Sequence, residues 1–369
     1  MNTQPQTNNI PLLGSYQAED CQFLLQSIEI PMVSIEEKEI LLQRLGVHYS
    51  ELITQESPPD EQYLALFYKL VEKYKDRLAS EITHLAQQIY QRKGSHITLV
   101  SLARAGTPVG VLLTRALKHY YPTDVSHYSI SIVRDKGIDT AALEYIKQSG
   151  RAAESILFVD GWTAKGVITQ ELKASVANWN AHSNYQIPSD LCVISDIGGT
   201  ADIVATTEDY TIPSGILNST VSGLISRTIL RPEYTGFHQC VIYAELAKHD
   251  LSCWFVDQIS DLFSPSRLIE NKPNSRATTN SAERNQSMRA YINHLMVHYN
   301  IDDINRVKPG IAEATRVMLR RIPKLLIVKN RASEDISHLL VLAQNKGVTI
   351  IEDNNMPFNA AAIVANVKA

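Results

Sequence analysis

The spacing of apolar residues divides the chain into a helical first part and a longer region in which strands and helices alternate. From Leu64 to Ile89, apolar residues recur every three or four positions, which predicts one long amphipathic helix. Asp60 follows a Ser-Pro-Pro run and is a typical N-cap, because its carboxylate can accept hydrogen bonds from the first N–H groups of that helix. Gly94 ends the helix, and residues 1–58 are predicted to form an arm with short helices.

Beyond Gly94, short apolar runs typical of buried strands alternate with segments of helical spacing. The predicted strands are residues 97–102, 126–133, 155–159 and 191–195. The predicted helices between them are residues 108–117, 139–148 and 166–178. This alternation indicates an α/β fold, in which a parallel sheet has helices on both faces. Ligands bind such sheets beyond the carboxyl ends of the strands, where the loops are residues 103–107, 134–138 and 160–166.

A polar stretch without periodicity separates a second, smaller α/β module from the first. The predicted parts are an arm over residues 1–58, an α/β domain over 59–265, a linker over 266–287 and a second domain over 288–369. In the second domain, the predicted helices are residues 311–319 and 335–344, and the predicted strands are residues 325–328 and 348–351.

Charge is distributed unevenly between these parts. Residues 275–369 carry 13 basic and 8 acidic side chains, whereas the other residues carry 22 basic and 31 acidic ones. A basic module on an acidic body favours a polyanionic partner for that module. Chance variation of the surface would produce the same count.

Several protein classes are disfavoured by composition. No run approaches the roughly 20 apolar residues that span a bilayer, and residues 1–9 are polar and uncharged, unlike a secretory leader. The four cysteines form no Cys-x-x-Cys pair, so neither a disulfide framework nor a zinc site is expected. We therefore expect a cytoplasmic protein that binds no membrane and has no metal-ligand cluster of its own.

The clearest chemical pattern is the run Asp160-Gly161-Trp162-Thr163-Ala164-Lys165-Gly166, which follows an apolar strand and leads into a helix. Successive backbone N–H groups and a helix N-terminus make such a loop a site for an anion. Thr163 and Lys165 can add a hydroxyl and an ammonium group to a phosphate, and Asp160 can accept hydrogen bonds from sugar hydroxyls. A plain strand-turn-helix junction with a capping Asp would have the same spacing.

This run resembles the loop of phosphoribosyltransferases that surrounds the 5′-phosphate of phosphoribosyl diphosphate, in which four apolar residues and two acids precede a Thr/Gly-rich turn. It departs from that pattern at Gly161, where a second acid is expected, and at Ile168, where the last Thr is expected. The form Asp-Gly-Trp-Thr-x-Lys-Gly resembles one divergent branch, the phosphoribosyltransferase-like proteins of tellurite-resistance stress operons. That branch is also named the cysteine protease StiP family.

Three further segments resemble the same branch. Arg104-Ala105-Gly106-Thr107 resembles the loop that binds pyrophosphate, where backbone amides and a guanidinium approach the anion. Arg134 and Lys136 stand where family members have a mobile hood, although a solvated charged turn would have the same composition. The run Asn218-Ser219-Thr220 suits hydrogen bonds to a nucleobase-like acceptor, and it suits an ordinary helix cap equally well.

The second domain resembles the Pelota-like RNA-binding domain, which has an α/β/α fold. The resemblance lies in the run from Lys308 to Arg316, the pair Arg320-Arg321 and the residues Gly347-Val348. It implies contacts with RNA phosphates, for which the candidate residues are Lys308, Gly310, Arg316, Arg320 and Arg321. A basic surface helix that only stabilises the fold would have the same residues.

These resemblances imply an enzyme of the phosphoribosyltransferase class that makes or modifies a nucleoside-like metabolite in a tellurite or stress response. Mg²⁺ would arrive with the diphosphate of the donor. The predicted catalytic residues are Asp160, Arg104 and Lys165. Two alternatives remain open. One is a non-catalytic nucleotide sensor that acts through RNA, which the loss of an acid at Gly161 favours. The other is a cysteine protease, for which Cys240 and His238 are the nearest pair along the chain.

Overall fold

A computed structural model describes residues 9–270 and 280–367. Its helices are α1 Ile35–Arg44, α2 Glu61–Lys93, α3 Gly106–Tyr120, α4 Thr140–Gln148, α5 Val167–His182, α6 Ser252–Ser260, α7 Pro265–Glu270, α8 Ser281–His298, α9 Ile311–Arg320 and α10 Ser337–Asn345. Its strands are β1 Gln22–Leu24, β2 Gln26–Ser27, β3 His96–Leu102, β4 Asp124–Ile130, β5 Ile132–Val133, β6 Gly137–Ile138, β7 Ile156–Thr163, β8 Leu191–Asp196, β9 Ile203–Thr206, β10 Gln239–Cys240, β11 Val307–Pro309, β12 Pro323–Val328, β13 Thr349–Glu352 and β14 Ala360–Val364.

Helix α2 follows from the apolar stripe of its sequence. The carboxylate of Asp60 accepts a hydrogen bond from the backbone N of Tyr63 at 2.7 Å, and Gly94 ends the helix in a positive-φ conformation. Both ends lie where the sequence predicted them. The buried face of α2 packs on α3 and α6 and covers one side of the first sheet.

The first sheet has six strands in the order β1-β4-β3-β7-β8-β9, and every pair is parallel. Side chains alternate between its faces, so Leu157 and Val159 join the apolar cluster under α2 and α3, whereas Phe158 joins the cluster under α4 and α5. Helices therefore cover both faces, which is the α/β class that the alternating pattern predicted. The edge strand β1 comes from the arm, a pairing that its three residues did not indicate.

Two predicted loops differ from expectation. Strand β7 continues through the first half of the predicted phosphate loop, because Asp160 and Trp162 still pair with β8, and the turn is confined to 164–166. The strand predicted over 126–133 stops at Ile130, and residues 132–133 instead pair with 137–138 as a short antiparallel hairpin. Strand β4 ends there because the backbone N–H and C=O groups of residues 132–133 find new partners in the hairpin.

The second sheet has four strands in the order β11-β14-β12-β13, with β14 antiparallel to both of its neighbours. Its helix α8 begins at Ser281, inside the span predicted as linker, and buries Met288, Ile292 and Leu295. Helix α7 also ends inside the predicted linker. Residues 271–279 of that linker lie outside the described residues. No helix within the described ranges is long and apolar enough to cross a membrane.

Candidate functional site

A cavity of about 590 Å³ lies at the carboxyl edge of the first sheet, and the arm, the turn after β7 and the second domain all contribute to its walls. Nine of its lining side chains are cationic: Lys38, Arg134, Lys165, Arg227, Arg306, Lys308, Arg316, Arg320 and Arg321. Four are carboxylates: Asp160, Asp302, Asp303 and Glu313. The cavity is therefore strongly electropositive.

The turn after β7 presents the N-terminus of α5 to the cavity. Gly166 has a φ of 75° and precedes the helix, and a side chain there would collide with Thr200. Because Gly166 has no side chain, it supplies no capping acceptor to the N–H groups of the first helical turn. The hydroxyl of Thr163 donates to Asp196 at 2.6 Å and so ties the end of β7 to β8. Ala164 and the residues 166–169 line the cavity.

Asp160 also lines the cavity, and one of its carboxylate oxygens accepts a hydrogen bond from the backbone N of Gly161 at 2.8 Å. Burial raises the pKa of Asp160 to about 6, although Arg316 acts in the opposite direction. A Cβ atom at Gly161 would lie 3.4 Å from the carbonyl oxygen of Ala105, which is an ordinary contact. The backbone around position 161 therefore leaves room for the Cβ atom of an acidic residue, and steric exclusion does not explain the glycine.

Lys165 connects the two domains. Its ammonium group donates to the carbonyl oxygens of Ile304 and Val307, both at 2.9 Å. Burial lowers the pKa of Lys165 to about 7, and the neighbouring charge of Lys308 lowers it further. The residue predicted to contact phosphate is therefore at the cavity, but two of its three donors hold the second domain.

The predicted pyrophosphate loop does not line the cavity. Arg104 is buried; it donates to the carbonyl oxygen of Ile225 at 2.7 Å and forms an ion pair with Glu56 of the arm. Burial alone would raise the pKa of Glu56, but the charges of Arg104 and Arg320 together with hydrogen bonds from Arg104 and Ser219 outweigh it and hold the pKa at about 2. Gly106 opens α3 against the carbonyl oxygen of Val159, where a side chain would collide.

The other residues of that loop are also packed inward. The hydroxyl of Thr107 is buried and lies 2.7 Å from the hydroxyl of Ser129. Ala105 precedes α3, and the peptide bond between Ala103 and Arg104 is cis. The structure brings none of the four predicted pyrophosphate residues to the cavity wall.

The two predicted hood residues have different positions. Arg134 lines the cavity, donates to the side-chain oxygen of Asn305 at 2.9 Å, and its guanidinium lies 5.5 Å from the ring of Tyr49. The backbone N of Arg134 also donates to the Tyr49 hydroxyl at 2.8 Å. Lys136 is exposed at the tip of the hairpin and does not line the cavity.

The run predicted to meet a nucleobase instead contacts the arm and the second domain. The side-chain oxygen of Asn218 accepts from the guanidinium of Arg320, and the backbone N of Ser219 donates to Glu56 at 2.9 Å. Ser219 and Thr220 are buried, and none of the three lines the cavity.

Four of the five residues predicted to contact RNA face the cavity. Arg316 lies 4.8 Å from the ring of Trp162 and pairs with Glu313 at 2.7 Å. Arg321 forms an ion pair with Glu39 of the arm. Lys308 and Arg320 complete the set. Gly310, the fifth, precedes α9 and packs against Ile197.

The arm contributes residues to the cavity that were not among the predicted site residues. Lys38 is only 6% exposed, yet it lines the cavity, and its ammonium group donates to the carbonyl oxygen of Arg320 at 2.9 Å. Burial lowers the pKa of Lys38 to about 7, assisted by Arg227 and Arg321. His48 lines the cavity with a buried Nε2 that has no hydrogen-bond partner. No local pattern identifies Lys38, because its hydrogen-bond partner Arg320 lies far away along the chain.

The thiols lie away from the cavity. Cys21, Cys192 and Cys240 are buried, and Cys253 is half-buried with its thiol donating to the carbonyl oxygen of Ser15. Burial raises the pKa of all four thiols, that of Cys240 to about 12. The ring of His238 bonds instead to Ser131 at 2.7 Å. Across residues 9–270 and 280–367, no hydrogen bond joins a cysteine thiol to a histidine ring.

Comparison with known families finds two matches. Residues 14–260 match the family described as tellurite-like stress resistance cysteine protease StiP, and residues 286–366 match the Pelota RNA-binding domain. A curated relative, "Cysteine protease StiP" of Acinetobacter baylyi, is 40% identical over 369 residues, which covers 95% of this chain and 94% of the relative.

Solved structures of low similarity are phosphoribosyltransferases. A hypoxanthine-guanine phosphoribosyltransferase of Bacillus anthracis is 17% identical, with a TM-score of 0.27, over 37% of this chain and 80% of its own. The hypoxanthine phosphoribosyltransferase of Trypanosoma cruzi in complex with the product IMP is 17% identical, with a TM-score of 0.27, over 37% of this chain and 76% of its own. At these TM-scores the likeness carries no argument by itself, and the α/β class rests on the parallel sheet described above.

Proposed function

The chain belongs to the StiP family, as its motifs predicted, and from that premise we propose that it transfers a phosphoribosyl group from a phosphoribosyl diphosphate-like donor held in the cavity. The observation that carries the proposal is the excess of nine cations over four carboxylates in a cavity at the carboxyl edge of a parallel sheet. Cations that are gathered and partly buried without equal countercharge are costly unless an anion joins them. A donor with several phosphate groups supplies that anion.

The first turn of α5 suits the 5′-phosphate of the donor. Residues 166–169 line the cavity, and the helix has no side-chain cap of its own. Free backbone N–H groups and the positive end of the helix dipole favour a phosphate at this position. Asp160 lines the same cavity and would accept hydrogen bonds from the ribose hydroxyls. Because Gly161 replaces the second acid, the carboxylate of Asp160 alone would bind the ribose hydroxyls that two carboxylates bind in the common phosphoribosyltransferase pattern.

The remaining cations near this turn would serve the departing diphosphate. In the reaction, the bond between the anomeric carbon and the diphosphate oxygen breaks, and the diphosphate leaves with the electron pair. A nucleophile of the acceptor bonds to the anomeric carbon and loses its proton. Arg134, Lys308 and Arg316 line the cavity and would stabilise the charge that develops on the leaving group. Positioning of donor and acceptor would supply much of the rest of the rate enhancement.

Mg²⁺ is expected with this donor. Within the described residues, no group of three or more His, Cys, Asp or Glu side chains could hold a metal ion. An ion bound here would take its ligands mainly from the diphosphate and water, with Asp160 as a neighbouring carboxylate. When bound, such an ion would neutralise part of the charge of the diphosphate.

One observation favours the alternative of a non-catalytic sensor. The guanidinium of Arg104, predicted to bind pyrophosphate, is held by the carboxylate of Glu56 from the arm. A protein that binds the donor but keeps Arg104 in this pair would sense the ligand without turnover. The two functions differ in one measurement, since only the enzyme releases diphosphate when donor and acceptor are both present.

The name of the family suggests thiol chemistry, and the thiols of this chain give it little support. A nucleophilic cysteine needs a base within hydrogen-bonding distance and a pKa that burial has not raised. None of the four thiols has either, and none lines the cavity. A variant with all four cysteines replaced by Ser or Ala should keep its function, and loss of function without unfolding would restore the protease hypothesis.

Calorimetric titration with phosphoribosyl diphosphate and Mg²⁺ tests the proposal. We expect the wild-type protein to bind the donor and Asp160→Asn to bind it at least about tenfold more weakly, because a hydrogen bond to a charged group is lost. The matched control Asp261→Asn changes an exposed acid that does not line the cavity and should bind like the wild type. If the wild type does not bind the donor, or if Asp160→Asn binds it equally well, the proposed site is wrong.

A further inference from the structure

The cations of the cavity form two groups that face different charges. Around the turn after β7, Lys165 experiences the charges of Lys308, Arg134 and Glu313. On the side of the arm, Lys38 experiences a separate set, which consists of Arg227, Arg321, Glu39 and Arg320. The two sets have no member in common, and they meet at Lys308, which also experiences the charge of Arg321. We call Lys38, Arg227 and Arg321 the arm-side subsite.

The arm-side subsite is assembled from three distant parts of the chain. Lys38 lies on α1, Arg227 lies in the segment between β9 and β10, and Arg321 directly follows α9 of the second domain. All three line the cavity. The ring of Tyr49 lies 5.5 Å from the guanidinium of Arg227 and also 5.5 Å from that of Arg134. This subsite is therefore adjacent to the cations that we assign to the donor.

Its donors are not satisfied by the protein. Lys38 is 6% exposed and uses one of its three N–H donors, on the carbonyl oxygen of Arg320. Arg227 donates through Nη2 to the carbonyl oxygen of Leu52, whereas its Nη1 is buried and has no partner. The buried Nε2 of His48, at the same cavity, also has no partner. Buried donors without acceptors are rare in folded proteins, and at a cavity wall they suit a ligand that supplies oxygens.

Lys38 and Arg321 both contribute to domain docking, but only the charge of Arg321 is compensated there by a carboxylate. Arg321 forms an ion pair with Glu39, which joins the second domain to the arm. Neither Lys38 nor Arg227 has a hydrogen bond to a carboxylate. One carboxylate therefore faces three side chains that can carry a positive charge. About two of these charges are uncompensated once a bound anion has stabilised the protonated form of Lys38.

We propose that the arm-side subsite binds a phosphate monoester on the second substrate, so that the acceptor of the transfer is a phosphorylated, nucleotide-like molecule. The identification of this molecule as the acceptor rests on the proposed function, whereas the phosphate subsite itself does not. A phosphate monoester carries a charge of about −1.5 to −2 near neutral pH, which matches the uncompensated charge better than a single carboxylate. Its three oxygens also suit the fork of a guanidinium and the free donors of an ammonium group.

The test measures phosphate binding while the donor site is filled. The full-length protein is saturated with phosphoribosyl diphosphate and Mg²⁺ and then titrated with inorganic phosphate, adenosine 5′-monophosphate and adenosine. We expect both phosphates to bind and adenosine to bind far more weakly. Lys38→Met and Arg227→Met should each weaken phosphate binding by about tenfold or more, since each removes a charged donor. Their affinity for phosphoribosyl diphosphate should fall much less than their affinity for phosphate.

Two controls keep the result interpretable. Lys324→Met removes an exposed lysine of the second domain that does not line the cavity, and it should bind phosphate like the wild type. Lys38→Arg retains the charge and should retain most of the binding. Thermal unfolding of each variant checks that it is folded. A variant that does not fold is replaced by the other member of the pair.

Each outcome supports or overturns a definite part. Phosphate binding that neither Lys38→Met nor Arg227→Met weakens overturns the subsite, as does the absence of phosphate binding. A parallel loss of donor binding in these variants would assign the residues to the diphosphate of the donor and overturn the subsite as a separate one. If inorganic phosphate binds and adenosine 5′-monophosphate does not, the phosphorylated acceptor is wrong. A wild type that binds phosphate through Lys38 and Arg227 but does not bind the donor would leave the subsite standing while the proposed function fails.

Discussion

Two lysines of the cavity have environments that disfavour their charge. Burial lowers the pKa of both Lys38 and Lys165 to about 7, from an ordinary value of 10.5. The unfolded chain therefore binds more protons than the folded chain between about pH 7 and pH 10.5. It follows that these two residues make the ligand-free protein more stable as the pH rises through that window. An anion in the cavity would reverse this preference by stabilising the charged form.

We predict that binding of phosphoribosyl diphosphate at pH 8 is accompanied by proton uptake, and that the affinity falls as the pH rises above about 7. At pH 8, Asp160, with a pKa of about 6, is already ionised in the free protein, so it takes up no proton. The phosphates of the donor are also fully charged there, since their second pKa is about 6. Calorimetry in buffers of different ionisation enthalpy measures the number of protons.

Lys165→Met should reduce that proton uptake, and the exposed-lysine variant Lys173→Met should not. Proton release on binding, or an affinity that is constant from pH 7 to pH 9, would contradict the assignment of Lys165 to the site of the donor.

At the scale of elements, the cavity depends on how α9 is held. Gly310 offers no capping side chain to this helix, and Asp209 of the first domain takes that role by accepting from the backbone N of Ile311 at 3.0 Å. The same carboxylate accepts from the backbone N of Asn359 at 2.7 Å. Burial raises the pKa of Asp209 to about 6. A single residue thus caps a helix that belongs to the other domain and orients the cations on it.

Asp209→Ala should lower the free energy of unfolding by about 1–2 kcal/mol, because the N-terminus of α9 loses its cap. Urea-induced unfolding measures the change. Asp209→Asn keeps an acceptor oxygen and should lose less. In Asp60→Ala, which removes the cap of α2 within the first domain, we expect a similar loss of stability but unchanged donor affinity. If Asp209→Ala is as stable as the wild type and binds the donor equally well, α9 does not depend on this contact.

At the scale of the whole molecule, the two domains share one apolar core. Leu78 of α2, Met318 of α9 and Leu339 of α10 belong to the same cluster of buried side chains. The arm adds polar contacts across the junction, through Lys38 to the carbonyl oxygen of Arg320 and through Glu39 to Arg321. Because apolar burial is continuous, opening the junction would expose core surface rather than a wet interface.

We therefore expect differential scanning calorimetry to record one cooperative unfolding transition for the full chain. Its calorimetric and van't Hoff enthalpies should agree. Arg321→Met, which breaks the ion pair with Glu39, should lower the transition temperature without splitting the peak. Two separate transitions in the wild type would mean that the domains unfold independently and that the shared core contributes little.

The sequence by itself determined the features that depend on local spacing. The stripe from Leu64 to Ile89, the N-cap at Asp60 and the alternation of strands with helices are recorded within short windows of the chain, and the structure follows them. The same holds for Asp160 at the cavity, because the end of an apolar strand before a helix identifies the ligand-binding edge of a parallel sheet. Motif resemblance extended this to the family, which the comparisons confirmed.

Only the tertiary structure decided which charges meet. Lys38, Arg227 and Arg321 are separated by more than ninety positions from one another, and no local pattern links them. Arg104 stands in a motif for pyrophosphate, yet Glu56 of the arm binds it away from the cavity. Arg316 and Arg320 face inward because α9 packs on the first domain, whereas a helix pattern alone cannot tell solvent from a neighbouring domain. Helical and strand periods report burial along one element, but the partner of a charge is set by long-range packing.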